Sequence, residues 1–340
     1  MNRKIDRLYF ELTTMCNLKC KHCFNFNEDV KPKHLDFETF STFYKKIKNK
    51  TQGIVLTGGE PFLHPQIIKI LDLLSQENVV ITTNAALYNE SYYEKIMMEY
   101  PNVFLQISFD GMTKETFETV RGLGSYEKVK RVIDYLSRQG YAQRLGLSVS
   151  ILACNIGEVP DIVRYAQEQK LHSIHFPTLI IEGRCAEDMT LLPEVKDLNQ
   201  TEDQLLILAA ESQDINISVN TLSRLAGWVH RKGEMDCLSN ATMKVTADGN
   251  IMPCPVAWKK EESLGMIEQI SCFGDIVSLL NGVQCEKQHS DECRECQAEG
   301  LCSMSFCEYC HIRKTNILQG KQYRCLNLKH HFNNIMKEEV

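Results

Sequence analysis

The stretch LYFELTTMCNLKCKHC, residues 8–23, joins a short apolar run to three cysteines that lie within eight residues. These are Cys16, Cys20 and Cys23, with the spacing C-x3-C-x2-C. Because a structural zinc site has four ligands, three thiols with no fourth cysteine nearby indicate a metal centre with an open coordination position. His22 lies directly between Cys20 and Cys23 and is poorly placed to point the same way. An iron-sulfur cube on the three cysteines would keep one iron free for a small molecule.

Six β-like runs alternate with stretches of helical period along the first half of the chain. The runs lie at residues 8–12, 53–57, 79–83, 103–109, 145–152 and 173–181. Asp36 is a predicted N-cap, followed by Phe37, Phe40, Tyr44 and Ile47 on one helical face. Mostly apolar strands, each followed by a helix, predict an α/β fold, a partial (β/α)6 TIM-like barrel. An open doubly wound sheet is the alternative, and both put the cysteine loop at the carboxyl edge of the strands.

The composition is that of an ordinary globular chain, with 43% hydrophobic and 24% charged residues among 340. The net charge of -6 argues against a nucleic-acid partner, which would show as a basic surface. No segment is typical of a membrane span, and the amino terminus lacks the apolar core of a secretory signal, so we expect a cytoplasmic protein. Fifteen cysteines, an odd number, favour metal or redox chemistry over disulfides in that compartment.

The last third of the chain is rich in cysteine and poor in long apolar runs. We therefore predict two domains, a barrel over residues 1–215 and a small iron-sulfur domain held together by metal over residues 216–340. Cys154 and Cys185, in the barrel half, are expected to be buried as small hydrophobic residues. The segment KHH at 329–331 is expected to be a solvated helix end rather than a metal site.

In its position after the first strand of a β/α barrel, the C-x3-C-x2-C motif resembles that of the radical S-adenosylmethionine (SAM) enzymes. The resemblance implies that Cys16, Cys20 and Cys23 hold a [4Fe-4S] cluster whose free iron is chelated by the amino and carboxylate groups of SAM. An electron from the cluster then breaks a sulfonium bond and yields a 5'-deoxyadenosyl radical. A three-cysteine zinc site is the alternative for the same loop.

Further motifs at later strand ends resemble the SAM pocket of this family: TGGEP at 57–61, TTN at 82–84 and SFDG at 108–111. Paired glycines let backbone approach a ligand closely, and Glu60 is the side chain expected near the methionine amino group. Arg121 resembles an arginine that pairs with the cofactor carboxylate, with a capping or surface role as the alternative. The implied SAM-binding residues are Gly58, Gly59, Glu60, Asn84, Ser108, Arg121 and Ser148.

The C-terminal cysteines resemble the SPASM extension of radical SAM enzymes, which carries two auxiliary four-iron clusters. Before Cys254, Asp248-Gly249 predicts a hairpin turn between Val245 and Ile251. By resemblance, one cluster is held by Cys293, Cys296, Cys302 and Cys325, and the other by Cys237, Cys254 and Cys307, with Cys310 close behind Cys307. The second set is one thiolate short, which Cys272, Cys285 or Cys310 would supply, unless an open iron binds substrate. A zinc knuckle on Cys293, Cys296, Cys307 and Cys310 is the alternative.

Enzymes that resemble this chain modify peptides or proteins, so the first hypothesis is a peptide maturase that abstracts a hydrogen atom. The product would be a crosslink, a thioether, an epimer or an oxidised residue. The expected partners are a peptide or small protein substrate and a reductant such as flavodoxin or ferredoxin. Because the first strand begins close to the amino terminus, leader recognition is expected to need another surface or a separate leader-binding protein.

Three alternatives stay open at this level. The same radical chemistry could act on a small molecule such as a cofactor precursor. A sulfatase maturase would need a carboxylate directly after an auxiliary-cluster cysteine, but Pro255 follows Cys254, which weakens that hypothesis. The third alternative is a zinc-stabilised binding protein without catalysis. No sequence pattern indicates which substrate atom reacts, which residue acts as catalytic acid or base, or what the oligomeric state is.

Overall fold

The computed structural model describes residues 5–25, 31–220 and 242–283, with short pieces at 285–286, 306–307, 326–327, 329–332 and 334. Within these, one sheet holds β1 (Arg7–Glu11), β2 (Ile54–Thr57), β3 (Val79–Thr83), β4 (Val103–Ser108), β5 (Leu145–Ser148), β6 (Ser173–Phe176), β7 (Asn216–Val219), β8 (Thr242–Val245), β9 (Asn250–Met252) and β10 (Gly265–Met266). Two short strands, β11 (Cys285–Glu286) and β12 (Phe306–Cys307), pair with each other.

The α-helices of the described ranges connect these strands. They are α1 (Phe37–Ile47), α2 (Ile67–Leu73), α3 (Glu90–Glu99), α4 (Lys114–Arg121), α5 (Tyr126–Leu136), α6 (Val159–Glu168), α7 (Arg184–Glu187), α8 (Val195–Glu211) and α9 (Phe273–Gly282). Residues 326–327 and 329–332 are also helical. In the parts of the chain that can be described, no helix combines the length and apolarity needed to cross a bilayer.

The sheet runs in the order β10-β9-β8-β1-β2-β3-β4-β5-β6-β7. From β8 through β1 to β7 every neighbouring pair is parallel, and only β9 and β10 are antiparallel. Strands β1 to β7 follow in sequence order without reversal, so right-handed crossovers put their helices on one face. A doubly wound sheet would reverse at a switch point. The α/β fold with a barrel-type parallel sheet is therefore confirmed.

The two faces of the sheet differ in burial and polarity. On β4, Val103, Leu105 and Ile107 are fully buried towards the helical layer, whereas Phe104, Gln106 and Ser108 alternate with them and are half-buried. Strand side chains alternate between faces, so the inner face of the partial barrel carries the second set. A polar, partly open inner face is suited to a bound molecule rather than to a packed core.

Local signals explain the elements that surround the site. The Asp36 side chain accepts a hydrogen bond from the Thr39 backbone N–H, which confirms the predicted N-cap of α1. The predicted hairpin is also present, with Val245 opposite Ile251 in the β8–β9 pair and Gly249 in its turn at φ 78°. These features fix where α1 begins and where the chain turns between β8 and β9.

The sheet continues past residue 215. The run INISV forms β7, which pairs with β6, and β8 pairs in parallel with β1 over four residues from Arg7 opposite Thr242 to Phe10 opposite Val245. Strands from both predicted domains therefore lie in one sheet. The division of the chain at residue 215 stays a prediction.

Candidate functional site

The cysteine loop follows β1 and is held against the loop that follows β2. The Gly59 N–H donates to the Thr13 carbonyl at 2.8 Å, and the Glu60 N–H donates to the Met15 carbonyl at 2.7 Å. A Cβ on Gly59 would lie 2.1 Å from the Met15 oxygen, and Gly58 has φ 145°. The paired glycines therefore let these two loops touch through their backbones. Their predicted contact with SAM stays a prediction.

The three thiols of this loop are poorly suited to carrying charge by themselves. Burial raises the pKa of Cys16 to about 11, and it also raises the pKa of Cys20 and of Cys23. Metals bind the thiolate form, so a nearby cation has to supply the compensating charge. Thiolate ligands are those that iron-sulfur clusters and zinc use. The donor set therefore fits a metal cluster.

Glu60 lies at the centre of a buried network under this loop. Its carboxylate accepts hydrogen bonds from the Thr83 hydroxyl at 2.8 Å, the Asn84 N–H at 2.8 Å and the Phe62 N–H at 3.3 Å. The side chain is inaccessible, and burial raises its pKa to about 7. Glu60 thus ties the end of β2 to the end of β3, and its predicted contact with the SAM amino group stays a prediction.

Asn84 links the third strand end directly to the cysteine loop. Its amide Nδ2 donates to Asn17 Oδ1 at 2.9 Å and lies 3.7 Å from Cys16 Sγ. Its Oδ1 accepts from the Ala86 N–H at 2.9 Å. Asn84 therefore lies beside the thiol of Cys16, at the position where the sequence predicts a cofactor contact.

Arg121 reaches the same loop from the end of α4. Its Nη2 lies 2.6 Å from Asp110 Oδ2, and its Nη1 lies 3.8 Å from Cys20 Sγ. His22 Nε2 is 3.3 Å from the same Asp110 oxygen, and burial lowers the pKa of His22 to about 4. The alternative of a surface arginine is wrong, because Arg121 is buried and paired with Asp110. The role of Arg121 towards the cofactor carboxylate stays a prediction.

A row of polar side chains crosses the inner face of the partial barrel next to the cysteine loop. Ser108, Ser148, His175 and Ser218 lie side by side on β4 to β7, and His175 Nδ1 is 2.8 Å from Ser218 Oγ. One rung below, Gln106 Nε2 is buried and makes no hydrogen bond among the described residues. This amide is a donor available to a bound molecule. Sequence reasoning found Ser108 and Ser148 but missed Gln106 and His175, although polar residues at every second position of apolar strands are the signal for them.

A buried ion pair lies on the same face at the other side of β1. Lys244 Nζ on β8 is 3.9 Å from Glu11 Oε2 on β1, and both side chains are buried. Burial raises the pKa of Glu11 and lowers the pKa of Lys244. Nothing in the local sequence pattern indicated this pair, because its members are distant in the chain.

The structure gives a partial account of the other cysteines. Cys254 is half-buried beyond β9, Cys272 is exposed before α9, and Cys285 and Cys307 lie opposite each other in the β11–β12 pair. The remaining candidate ligands lie outside the described residues: Cys237, Cys293, Cys296, Cys302, Cys310 and Cys325.

Two smaller expectations were wrong. Cys185 is buried as expected, but Cys154 is exposed because it lies in a turn after β5 rather than in the sheet. The segment 329–331 is not a solvated helix end, since His331 is almost completely buried against α8 and is 2.6 Å from Glu202.

Comparisons with known proteins show which family and which relatives this chain is similar to. A family model described as the Radical SAM superfamily matches residues 10–166. The antilisterial bacteriocin subtilosin biosynthesis protein AlbA of Bacillus subtilis is 30% identical over 166 residues, which are 47% of this chain and 36% of AlbA. The 7,8-dihydro-6-hydroxymethylpterin dimethyltransferase of Methanocaldococcus jannaschii is 26% identical over 191 residues, 54% of this chain and 38% of that protein. The chain spans less than half the length of either relative.

The fold has counterparts among solved structures. Streptococcus suis SuiB bound to S-adenosylmethionine matches with a TM-score of 0.71 at 15% identity, over 89% of this chain and 72% of SuiB. SuiB bound to its precursor peptide SuiA also matches with a TM-score of 0.71.

A parallel partial barrel with a three-thiol loop at the carboxyl edge of its strands is the arrangement expected of radical SAM enzymes, a class whose members use SAM and a [4Fe-4S] cluster. The resemblance to radical SAM enzymes of the SPASM type, recognised from the cysteine pattern, is confirmed by the family match over residues 10–166 and by these relatives. Which cysteines bind the auxiliary clusters stays a prediction.

Proposed function

We propose that the chain is a peptide maturase in which Cys16, Cys20 and Cys23 hold the cluster that binds SAM. One observation carries the proposal: the three-thiol loop, with Cys16 exposed and Cys20 and Cys23 half-buried, lies at the carboxyl edge of a polar inner face. When bound, the cluster and SAM supply the 5'-deoxyadenosyl radical that abstracts a hydrogen atom from the substrate. Side chains of this protein would orient the cysteine loop, supply charge beside it and bind SAM and the substrate.

The residues around the loop would orient it and supply charge. Arg121 brings a cation close to the Cys20 sulfur, while Asp110 holds the guanidinium in place. Asn84 offers an amide N–H near Cys16 Sγ. Both groups favour thiolate over thiol, so they support cluster ligation. Gly58, Gly59 and Glu60 hold the cysteine loop against the loop that follows β2 through close backbone contacts and hydrogen bonds.

The inner face would receive SAM and the substrate. Ser108, Ser148 and His175 offer hydroxyl and imidazole groups along one row, and Gln106 offers its unpartnered amide from the row below. A polar row of this kind can hold a peptide backbone, whose carbonyls and N–H groups need partners once water is excluded. The proposed reductant is flavodoxin or ferredoxin, and a separate leader-binding protein is a proposed partner.

A peptide is favoured as substrate because AlbA is a bacteriocin biosynthesis protein and SuiB has been solved with a precursor peptide. A small-molecule substrate is the second candidate, since the chain is also similar to a pterin dimethyltransferase. The two auxiliary clusters proposed for the C-terminal part would accept the electron left on the substrate or bind a substrate thiolate.

The test is anaerobic turnover of the iron-loaded protein with SAM, a strong reductant and candidate peptides. We expect 5'-deoxyadenosine together with a mass change in one peptide. Cys16→Ala, Cys20→Ala and Cys23→Ala should each abolish 5'-deoxyadenosine production, because removal of a ligand loses the cluster. Cys154→Ala is the matched control, since Cys154 is exposed and outside the loop.

Each outcome decides a different part of the proposal. Full turnover by any of the three loop variants would remove the assignment of the cluster ligands. Production of 5'-deoxyadenosine with every peptide unchanged would favour a small-molecule substrate instead. A colourless, zinc-loaded protein would point to a zinc-stabilised binding protein.

A further inference from the structure

A cluster of histidine and carboxylate side chains joins α8 to the helical residues 329–332, far along the chain from the cysteine loop. Its core is Asp203, His330 and His331, whose ligand atoms all lie within 4.8 Å of one another. His331 is almost completely buried, whereas Asp203 and His330 are each about one third exposed. The cluster is therefore a partly open site at the edge of α8.

The contacts within the cluster are short and directional. His330 Nε2 lies 2.7 Å from Asp203 Oδ2, and His331 Nε2 lies 2.6 Å from Glu202 Oε2. Asn327 Nδ2 donates to the same Glu202 oxygen at 2.8 Å. Glu202 therefore acts as an acceptor for both neighbours, so the His331 Nε2 atom carries a hydrogen and donates it.

This arrangement leaves the other ring nitrogen of His331 in an unusual position. Nδ1 is buried, makes no hydrogen bond among the described residues, and lies 3.4 Å from Asp203 Oδ1. With the hydrogen on Nε2, Nδ1 carries a lone pair and lies close to the carboxylate of Asp203. Two electron-rich atoms at this distance repel each other unless a cation lies between them.

The spacing suits a divalent transition metal. Metal bonds of about 2.0 Å to nitrogen and oxygen in a tetrahedral site place neighbouring ligand atoms about 3.3 Å apart. The separation of 3.4 Å between His331 Nδ1 and Asp203 Oδ1 already matches. The separation of 2.7 Å between His330 Nε2 and Oδ2, the other Asp203 oxygen, needs to open by about 0.6 Å. In metal sites, a histidine ligand usually donates the N–H of its other ring nitrogen to a carboxylate, which orients the ring. Glu202 is in this position relative to His331.

We propose that Asp203 together with His330 and His331 binds a divalent transition metal ion of the zinc class, with Glu202 orienting His331. The ion fixes helical residues 329–332 onto α8, and an exposed fourth position is left to water. The site uses nitrogen and oxygen ligands only, so it is separate from the sulfur ligands of the iron-sulfur clusters. Its existence does not depend on the proposed reaction.

The experiment uses tag-free, iron-loaded full-length protein equilibrated anaerobically with chelator-buffered zinc, and metal content is read by mass spectrometry. We expect the wild type to take up one zinc per chain at unchanged iron content. His330→Ala and Asp203→Asn each remove a ligand and should weaken zinc binding at least tenfold. Glu202→Gln should weaken it by about 10- to 100-fold, as loss of an outer partner does elsewhere. His172→Ala is the matched control because His172 is an exposed histidine outside the cluster.

Several results would overturn the proposal. A wild type that takes up no zinc would show that the cluster is a hydrogen-bond network only. Zinc binding that survives in both His330→Ala and Asp203→Asn would place the ion elsewhere. X-ray absorption at the zinc edge with a sulfur shell would assign the ion to cysteines, whereas two imidazoles and light oxygen ligands are the expected result. Iron content and 5'-deoxyadenosine production, measured alongside, report separately on the radical site.

Discussion

Gly59 shows at the scale of a single residue how closely the two loops of the site approach. A methyl group at this position would meet the Met15 carbonyl at 2.1 Å and the Cys16 nitrogen at 3.0 Å. Both obstacles are backbone atoms of the cysteine loop, so they cannot rotate away as a side chain would. The position of Cys16 therefore depends on the absence of a side chain on Gly59.

We expect Gly59→Ala to displace the cysteine loop at a cost of ~1–3 kcal/mol, typical of overpacking. The rate of 5'-deoxyadenosine production should fall by about 5- to 150-fold, because ~1–3 kcal/mol lost from transition-state stabilisation corresponds to that range. The matched control is Gly157→Ala, whose added methyl would meet nothing within 4 Å. Equal rates for the two variants would contradict the role given to Gly59.

For single residues, the sequence predicted which motifs form the site more successfully than it predicted which side chains contact each other. The loop cysteines were predicted from their spacing, and Asn84 and Arg121 from the family resemblance; the structure brings Asn84 close to Cys16 and Arg121 close to Cys20. Asp110 was missed as the partner of Arg121, since the pair forms only when the end of β4 meets the end of α4. A contact of that kind has no signature in a window of a few residues.

At the scale of secondary-structure elements, Glu158 links the start of α6 to the start of α4 through hydrogen bonds. Its carboxylate accepts hydrogen bonds from the Met112 N–H at 2.6 Å, from the Thr113 hydroxyl at 2.8 Å and from the Thr116 hydroxyl at 2.7 Å. Burial opposes ionisation of Glu158, but these hydrogen bonds outweigh it and lower its pKa below the ordinary value. A single carboxylate thus satisfies the open N–H groups of one helix from another.

We expect Glu158→Gln to lower the free energy of unfolding by about 1.5–3 kcal/mol near neutral pH, as for hydrogen bonds to a charged group. The lowered pKa means that this stabilisation is present above the pKa of the unfolded chain and is lost as the pH falls through the folded value. The difference from wild type should therefore shrink below about pH 4. Thermal melting across this range measures it, with exposed Glu168→Gln on the same helix as the control. A difference that persists unchanged in acid would argue against the charge.

The strands illustrate what apolar runs can and cannot predict. All six predicted runs are strands, but the runs at 145–152 and 173–181 end early, at Ser148 and Phe176. Beyond these ends, Val149, Leu152 and Ile181 are still buried. Val149 still donates its N–H to the His175 carbonyl at 2.9 Å, whereas Leu152 and Ile181 lie in loops beyond the strand ends. An apolar run in the sequence predicts that its residues are buried. Where the strand ends depends on how far the neighbouring strand offers hydrogen-bond partners.

On the scale of the whole molecule, β8 extends the sheet beyond β1. It covers the edge of β1 and brings Lys244 to Glu11 inside the barrel wall. Composition and cysteine spacing predicted a change of character in the last third of the chain, but they gave no sign that a strand returns from there to the first one. Long-range parallel pairing leaves no local pattern, because its partners are chosen by topology.

We expect a chain that ends after residue 220 to fail as an independent barrel. Without β8 to β10, the edge of β1 exposes unpaired N–H and carbonyl groups, and Glu11 keeps a buried charge without its partner. The shortened protein should be mostly insoluble or melt without cooperativity, whereas a chain that ends after residue 283 should melt cooperatively. Soluble yield and circular dichroism measure this. A cooperative melt of the shorter chain at the wild-type temperature would instead support a self-sufficient domain over residues 1–215.

The distance in sequence between β1 and β8 also sets an order of events during synthesis. The first strand and the thiol loop leave the ribosome about 230 residues before the strand that covers them, and at roughly 5–20 residues per second this interval lasts on the order of 10–50 seconds. During that time the nascent chain presents an uncovered edge and reduced thiols to its neighbours. Rare codons between the two strands are therefore expected to increase association between nascent chains on the same messenger RNA.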